Sequence, residues 1–267
     1  MKVKQDIFTA MGSRVKFFRG DYNITCDAVW LAAFIGHKAY GIRHNILDVG
    51  IGTGGVSLCL LQHCPDLRVT GIDISEQMLS ECAANAELNG RELELIHGDI
   101  LKWRTSRTFD TVITNPPYFR GTPRVNSSPR RGEPKDTKCL SVGGKNKHIC
   151  PPIDGCAVDS PQGGSNFPHH NANLTDWTRA CLKRVKPRGY FYCIVDAAAA
   201  GEVAAALHTG RAGDINIVPL FGGAAHAERV LISARLGTAG GTVIHAGFSM
   251  NDDTILRMGK PLTFAKK

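Results

Sequence analysis

The stretch Asn45-Ile46-Leu47-Asp48-Val49-Gly50-Ile51-Gly52-Thr53-Gly54-Gly55 decides the fold. Ile46 to Gly50 is a short apolar run bounded by turn residues, the pattern of a buried strand. Ile51 to Gly55 is a glycine-rich turn, where the missing side chains let the backbone approach a ligand closely. Val56 to Gln62 continues as an apolar helix. The same rhythm repeats downstream. Arg68 to Asp73 is a second strand ending in an acid. Ser75 caps a helix from Glu76 to about Leu88, with Gly90 as its stop signal. Leu93 to His97 is a third strand with Asp99 just past its end, and Phe109 to Thr114 is a fourth. This alternation predicts the α/β class, with a Rossmann-like, doubly wound parallel sheet. Ligands of such sheets bind at the carboxyl ends of the strands. The loop from Gly50 to Gly55, Asp73, Asp99 and Asn115 all fall at such ends.

The fourth strand runs into Asn115-Pro116-Pro117-Tyr118. Proline fixes φ and donates no N–H, so carbonyls at this corner can face a ligand instead of a neighbouring strand. A planar ligand with an amino group suits it. Such a group can stack on Tyr118 and donate its hydrogens to the Asn115 side-chain oxygen and a nearby carbonyl.

Outside these strands the chain reads more simply. Val15, Phe17 and Phe18 suggest a strand or hairpin ending at Gly20, and Thr25 to Phe34 a helix with Asp27 in its first turn, where an acid suits the helix dipole. Asn173 or Thr175 caps a helix to about Val185. Pro187-Arg188-Gly189 is a turn, Tyr190 to Val195 a fifth strand and Ala197 to Leu207 an alanine-rich helix. Asp214 to Leu220 and Arg229 to Leu236 are expected to form an antiparallel pair that closes the sheet. The tail after Gly240 is polar.

Between Phe119 and Lys147 lie eight basic residues and two acids, a net +6 of the chain's +8. Seven of the thirteen prolines fall between Phe119 and Asn173, and such a composition cannot bury a core. An insertion at about 120–172 that helps to hold an anionic substrate is the expectation.

Two cofactors compete for the glycine-rich loop. A dinucleotide needs G-x-G-x-x-G opening a helix. The alternative is S-adenosylmethionine, for which Asp48 precedes the loop Gly50-x-Gly52-x-Gly54, Asp73 can hold ribose hydroxyls and Asp99 can accept from an adenine amino group. Beside Asn115 to Tyr118, the second cofactor is the better reading.

Together, Asp48 to Gly54, Asp73, Gly98-Asp99-Ile100 and Asn115-Pro116-Pro117-Tyr118 resemble the class I S-adenosylmethionine-dependent methyltransferases that methylate amino groups. Asp27 with Leu31-Ala32-Ala33, Phe119, Leu174-Thr175-Asp176-Trp177 and the tail from Ile244-His245 to Gly259 resemble more narrowly the bacterial tRNA1(Val) adenine-N6 methyltransferases. The resemblance spans about Asn23 to Leu236 and implies a seven-stranded sheet with helices on both faces. It implies a basic extension and packing helix over 1–44, a methyltransferase domain over 45–240 and a tail over 241–267. It also implies catalytic Asn115, Pro116, Pro117 and Tyr118, and cofactor contacts from Asp27, Asp48, Gly50, Ile51, Gly52, Gly54, Asp73, Ile74, Asp99, Ile100 and Asn115. The expected substrate is a tRNA adenosine next to the anticodon, with RNA contacts from Arg14, Lys16, Arg120, Arg124, Arg130, Arg131 and Lys135. Three other activities are open: methylation of a release-factor glutamine, methylation of DNA adenine, and RNA binding without catalysis. Release-factor methyltransferases usually carry a longer helical N-terminal part than the 44 residues before the first core strand here.

The 267 residues suit one large α/β domain, and 43% hydrophobic with 21% charged residues is an ordinary globular composition. No apolar run is long enough to span a membrane, and Met1 to Asp6 lacks a signal-peptide profile. Nine cysteines, an odd number without a C-x-x-C pair, fit a reduced, cytoplasmic chain, with a monomer expected. Cys139, His148, Cys150, Cys156, His169 and His170 lack the paired spacing of a zinc site, so no metal is expected.

Overall fold

The computed structural model describes residues 6–20, 24–39, 45–117 and 173–264. Tyr118, Arg120, Arg124, Arg130, Arg131, Lys135 and the six cysteines and histidines of the insertion lie outside the described residues.

A hairpin of β1 (Ile7–Ala10) and β2 (Val15–Phe18) comes first, then α1 (Cys26–Ala39). The sheet is built from β3 (Asn45–Val49), β4 (Arg68–Asp73), β5 (Glu94–His97), β6 (Phe109–Thr114), β7 (Val185–Asp196), β8 (Ala212–Phe221) and β9 (Arg229–Leu236). Helices α2 (Gly55–His63), α3 (Glu76–Leu88), α4 (Leu174–Leu182) and α5 (Ala200–Thr209) connect or follow them. The strands lie in the order β8-β9-β7-β6-β3-β4-β5. All neighbours are parallel except β9, which is antiparallel to both β7 and β8. The expected closing pair is therefore present.

The sheet order reverses beside β3, where connections to either side leave a crevice at the strand ends, the usual ligand position in such folds. Two hydrophobic clusters cover the two faces. One joins α1, α2 and the β1–β2 hairpin through Trp30, Leu31, Phe17 and Leu60. The other joins α4 and α5 through Trp177, Leu182, Val203 and Leu207. Fully buried aromatic and leucine side chains contribute about 1.5–3 kcal/mol each, so both faces are anchored by burial.

Three expectations need correction. The sheet has nine strands rather than seven, because β10 (Thr242–Ile244) and β11 (Phe248–Ser249) add in parallel to the outer edge of β8. The tail is also not simply polar. It carries a short helix, α6 (Asp253–Leu256), and buries Met250, Ile255, Leu256 and Leu262 against α1. The carbonyl of Met250 accepts from Trp30 Nε1 at 3.3 Å, and that of Ala33 accepts from Leu262 N at 3.0 Å. Four well-spaced apolar residues suffice to dock a segment whose overall composition is polar.

The helix expected to reach Val185 ends at Leu182, and β7 begins at Val185, before the expected turn. Arg184 explains the early stop. Its guanidinium donates to the carbonyls of Thr105 at 2.5 Å and Trp103 at 3.0 Å, while its own carbonyl accepts from Phe109 N at 2.8 Å. Pro187 to Gly189 survives as an irregularity inside the strand, with Arg188 at φ 63° and the β6 register shifting between Phe109 and Thr111. Among the described residues, no helix is long and apolar enough to cross a membrane.

Candidate active site

Parallel register sets the site. Val49 pairs with Thr114 on one side and Ile72 on the other, and Asp73 pairs with His97. The residues that follow, Gly50, Asn115 and Gly98, therefore leave the sheet side by side at its carboxyl edge. Asn115 is half-buried, Pro116 buried and Pro117 exposed.

Gly50, Gly52 and Gly54 have φ of 72°, 53° and 89°, a left-handed run that L side chains rarely adopt. Nothing lies within 4 Å of where a Cβ on Gly52 would stand, so this face of the loop is open to a ligand. The loop is also held from beneath. Gly50 N and Ile51 N donate to the Ile72 carbonyl at 2.8 and 3.2 Å. The Thr53 carbonyl accepts from Asn85 Nδ2 at 3.0 Å, and Asn85 Oδ1 accepts from Phe18 N at 2.9 Å. Asn85 thus ties the N-terminal hairpin to the loop, a link between distant segments that its helical spacing gave no reason to expect.

Asp73 meets the loop directly. Its Oδ2 accepts from Gly52 N and its Oδ1 from Ser75 N, each at 2.9 Å. Each carboxylate oxygen keeps a second lone pair, so the group can hold the loop and still receive ribose hydroxyls. Ile74 is 37% exposed beside it, an apolar surface next to the acid, whereas Ile100 is buried. Asp99 accepts from Leu101 N at 2.9 Å and lies 3.6 Å from Lys102 Nζ. A cradle of open glycine backbone, a half-exposed acid and an exposed isoleucine fits a nucleoside with ribose hydroxyls and an adenine ring. Asp73, Gly50, Gly52 and Ile74 are the residues that would hold S-adenosylmethionine there.

Asp48 and Asp27 are placed differently from a surface acid. Asp48 is 1% exposed beneath the loop and accepts from Ser57 Oγ at 2.6 Å. Ile51, buried beside it, packs on Gly71. Asp27 is equally buried, with Arg229 Nε donating to its Oδ2 at 3.2 Å, and Arg229 also lies 3.6 Å from Asp196. This ion cluster fastens α1 to the carboxyl end of β7 and uses the Asp27 carboxylate structurally. Such contacts cannot be separated from ligand contacts in sequence, because the residue type is the same.

Arg14 lies in the turn of the N-terminal hairpin and Lys16 on β2. The Lys16 backbone bonds Asn89 at the far end of α3, and Arg14 Nη1 donates to the Met258 carbonyl at 2.5 Å. Asn89 lies one helical turn beyond Asn85, whose side chain reaches the Thr53 carbonyl of the loop, and Asn89 Nδ2 donates to the Asn85 carbonyl at 2.7 Å. A separate cleft of about 830 Å³, lined by Asn45, Arg68, Arg91 and Arg107, lies at the opposite, amino-terminal edge of the sheet. Arg107 there is forked onto Glu94 at 2.6 and 2.7 Å, which holds that carboxyl down at about 2.

Asp48 gives the site a pH signature. Burial pushes its carboxyl from 3.8 up to about 7; the Ser57 hydrogen bond opposes this and the nearby Asp73 charge adds to it. The folded protein therefore keeps a proton that the unfolded chain has lost. Stability from this group is full below the unfolded value and is lost as pH rises to about 7, by up to about 1.4 kcal/mol per pH unit. Asp48→Asn keeps an acceptor for Ser57 without the charge. It is expected to flatten the fall in Tm between about pH 5 and pH 7. Thermal denaturation across that window checks this, and parallel curves for the two proteins would exclude the role.

A family model described as a methyltransferase domain matches residues 46–124. The chain is 36% identical over 99 residues to a tRNA1(Val) (adenine(37)-N6)-methyltransferase of Pedobacter heparinus, covering 36% of this chain and 41% of that protein. It is 37% identical over 92 residues to a release factor glutamine methyltransferase of Lactococcus lactis, covering 34% of each chain. The chain spans 33–41% of the length of the first curated relatives it matches. Among solved structures, a predicted O-methyltransferase from Agrobacterium tumefaciens aligns with a TM-score of 0.59 at 17% identity, covering 90% of this chain and 99% of that one. Residues 46–124 thus match a methyltransferase domain, and the chain shares the fold of that solved methyltransferase.

Proposed function

We propose that the protein transfers a methyl group from S-adenosylmethionine to the exocyclic N6 of an adenine in RNA, with a tRNA as the RNA. The observation that carries this reading is the pairing of Val49 with Thr114. It sets Asn115-Pro116-Pro117 one step from the glycine-rich loop.

S-adenosylmethionine supplies a methyl group already activated by its sulfonium. The difficulty lies in the acceptor, whose lone pair is delocalised into the ring. Asn115 Oδ1 and the Pro116 carbonyl accept the two amine hydrogens, which turns the lone pair toward the incoming methyl. Proline at 116 and 117 keeps this corner stiff, so the acceptors do not need to reorganise. Tyr118, the next residue in the sequence, supplies the ring on which an unstacked base rests. Catalysis is then alignment plus polarisation, without a covalent enzyme intermediate.

A glutamine side-chain amide poses the same lone-pair problem, and one relative bears the name of a release factor glutamine methyltransferase. The +6 segment between Phe119 and Lys147 favours a polyanion. Incubation with labelled S-adenosylmethionine and total RNA, DNA or protein in parallel, followed by nucleoside and amino-acid analysis, separates the readings. Label in N6-methyladenosine from RNA is expected; label confined to protein glutamine would replace the proposal.

The basic segment has its own test. Replacing Arg124, Arg130, Arg131 and Lys135 by Ser is expected to weaken RNA binding and flatten its salt dependence, with cofactor affinity unchanged. On a single strand the log–log slope should fall by about 0.7 for each phosphate that is no longer neutralised. Superimposable salt titrations would remove these residues from the RNA interface.

A further inference from the structure

We propose that Trp177, through the Thr114 hydroxyl, is a positioning residue that holds the glycine-rich loop and the Asn115 corner at a fixed spacing. The inference rests on the reading of Asn115 as the residue that faces the acceptor amine.

The observations are geometric. Trp177 Nε1 donates to Thr114 Oγ1 at 3.1 Å, and Thr114 Oγ1 donates to the Val49 carbonyl at 2.8 Å. Thr114 is the last residue of β6, immediately before Asn115, and Val49 is the last of β3, immediately before Gly50. The hydroxyl thus pins the two strand ends just where the cofactor loop and the acceptor corner begin. The far side of the indole completes the tie. A Cβ on Gly50 would stand 3.3 Å from Trp177 Cζ2 and 3.5 Å from Cη2. Gly50 therefore serves both its left-handed φ and the seating of the ring.

Burial makes the tie stringent. Thr114 is 1% and Trp177 8% exposed, so a hydroxyl or N–H left without its partner is not rescued by bulk water. The helix that carries Trp177 is itself fastened: Asn173 Oδ1 caps it by accepting from Asp176 N at 2.8 Å, and Glu202 accepts from Thr175 N at 2.8 Å and Thr175 Oγ1 at 2.9 Å. Helix α4 is thus a rigid mount. Its indole reaches under both halves of the site without touching the reacting atoms.

Thr114→Val keeps the shape and removes the hydroxyl, Thr114→Ser restores it, and Trp177→Phe removes the indole donor. Four readouts are needed: amide hydrogen exchange of the protein alone, affinity for S-adenosylhomocysteine, Tm, and kcat for methyl transfer. The expected result is faster exchange in both 50–54 and 113–115 for Thr114→Val and Trp177→Phe, but not for Thr114→Ser. Both variants should lose roughly 3- to 10-fold in kcat, the size of one hydrogen bond, with S-adenosylhomocysteine affinity changed by less than about twofold. The double variant should lose less than the product of the two single losses. Exchange confined to one segment, fully multiplicative losses, or affinity and Tm falling in step with kcat would overturn the inference. If the wild type labels no acceptor, the functional proposal fails instead, and the exchange data still decide whether the tie exists.

Discussion

Asn115→Ala is expected to lower methyl transfer by about 100-fold or more while leaving S-adenosylhomocysteine affinity nearly unchanged. Asn115 follows the strand end that pairs with Val49, one step from where the loop begins, and is half-buried. Removing it takes away one of two acceptors that would localise the amine lone pair, and preorganised acceptors of this kind contribute about 2.7–4 kcal/mol to a barrier. The effect should fall on kcat, because the interaction strengthens as the amine gains charge. Asn115→Asp is the informative companion. It keeps an acceptor but adds a charge, and should retain more activity than Ala if acceptance is what matters. Single-turnover transfer at saturating cofactor, with calorimetry on S-adenosylhomocysteine, measures both quantities. Wild-type turnover in Asn115→Ala would remove the residue from the chemistry.

The half of the fold between Asn45 and Thr114 was legible because its signals are local. Strands β4 and β6 and helix α3 lie where apolar runs, the Ser75 cap and Gly90 put them, and the Ser75 hydroxyl does accept from Met78 N at 3.3 Å. The errors arise where tertiary contacts decide. The early end of α4 depends on Arg184 reaching carbonyls some 79 and 81 residues away. The tail pairs with β8 through residues whose partners are distant in sequence, and no period announces that. The site divides in the same way. The glycine spacing was readable, since the positive φ at Gly50, Gly52 and Gly54 favours that residue type. The division of labour among acids was not. Asp48, Asp27 and Asp73 look alike in sequence, yet one is buried on a serine, one is paired with Arg229 and one holds the loop. Trp177 had a signal in the sequence, a large indole in a helix with polar neighbours, but its link to Thr114 needed the fold.

Asp73→Ala is expected to weaken S-adenosylhomocysteine binding by more than about 10-fold and to lower Tm at the same time. Two separate losses combine. The carboxylate accepts from Gly52 N and Ser75 N, so its removal frees the loop and the first turn of α3 together. It also removes the acceptor available to ribose hydroxyls, and charge-assisted hydrogen bonds are worth roughly 1.5–3 kcal/mol each. Asp73→Asn separates the two losses. An amide offers one acceptor oxygen and one donor nitrogen, so it can satisfy only one of the two backbone N–H groups and faces the other with a donor. That variant should recover part of the Tm but little of the affinity, because ribose binding requires the negative, acceptor-only group. Calorimetry and thermal denaturation on the three proteins give the answer. Unchanged affinity in Asp73→Ala would mean that the acid only shapes the loop and that the cofactor is held by backbone alone. A fall in affinity accompanied by an unchanged Tm would mean the reverse, that the Gly52 and Ser75 bonds add nothing to the fold and the carboxylate acts on the ligand.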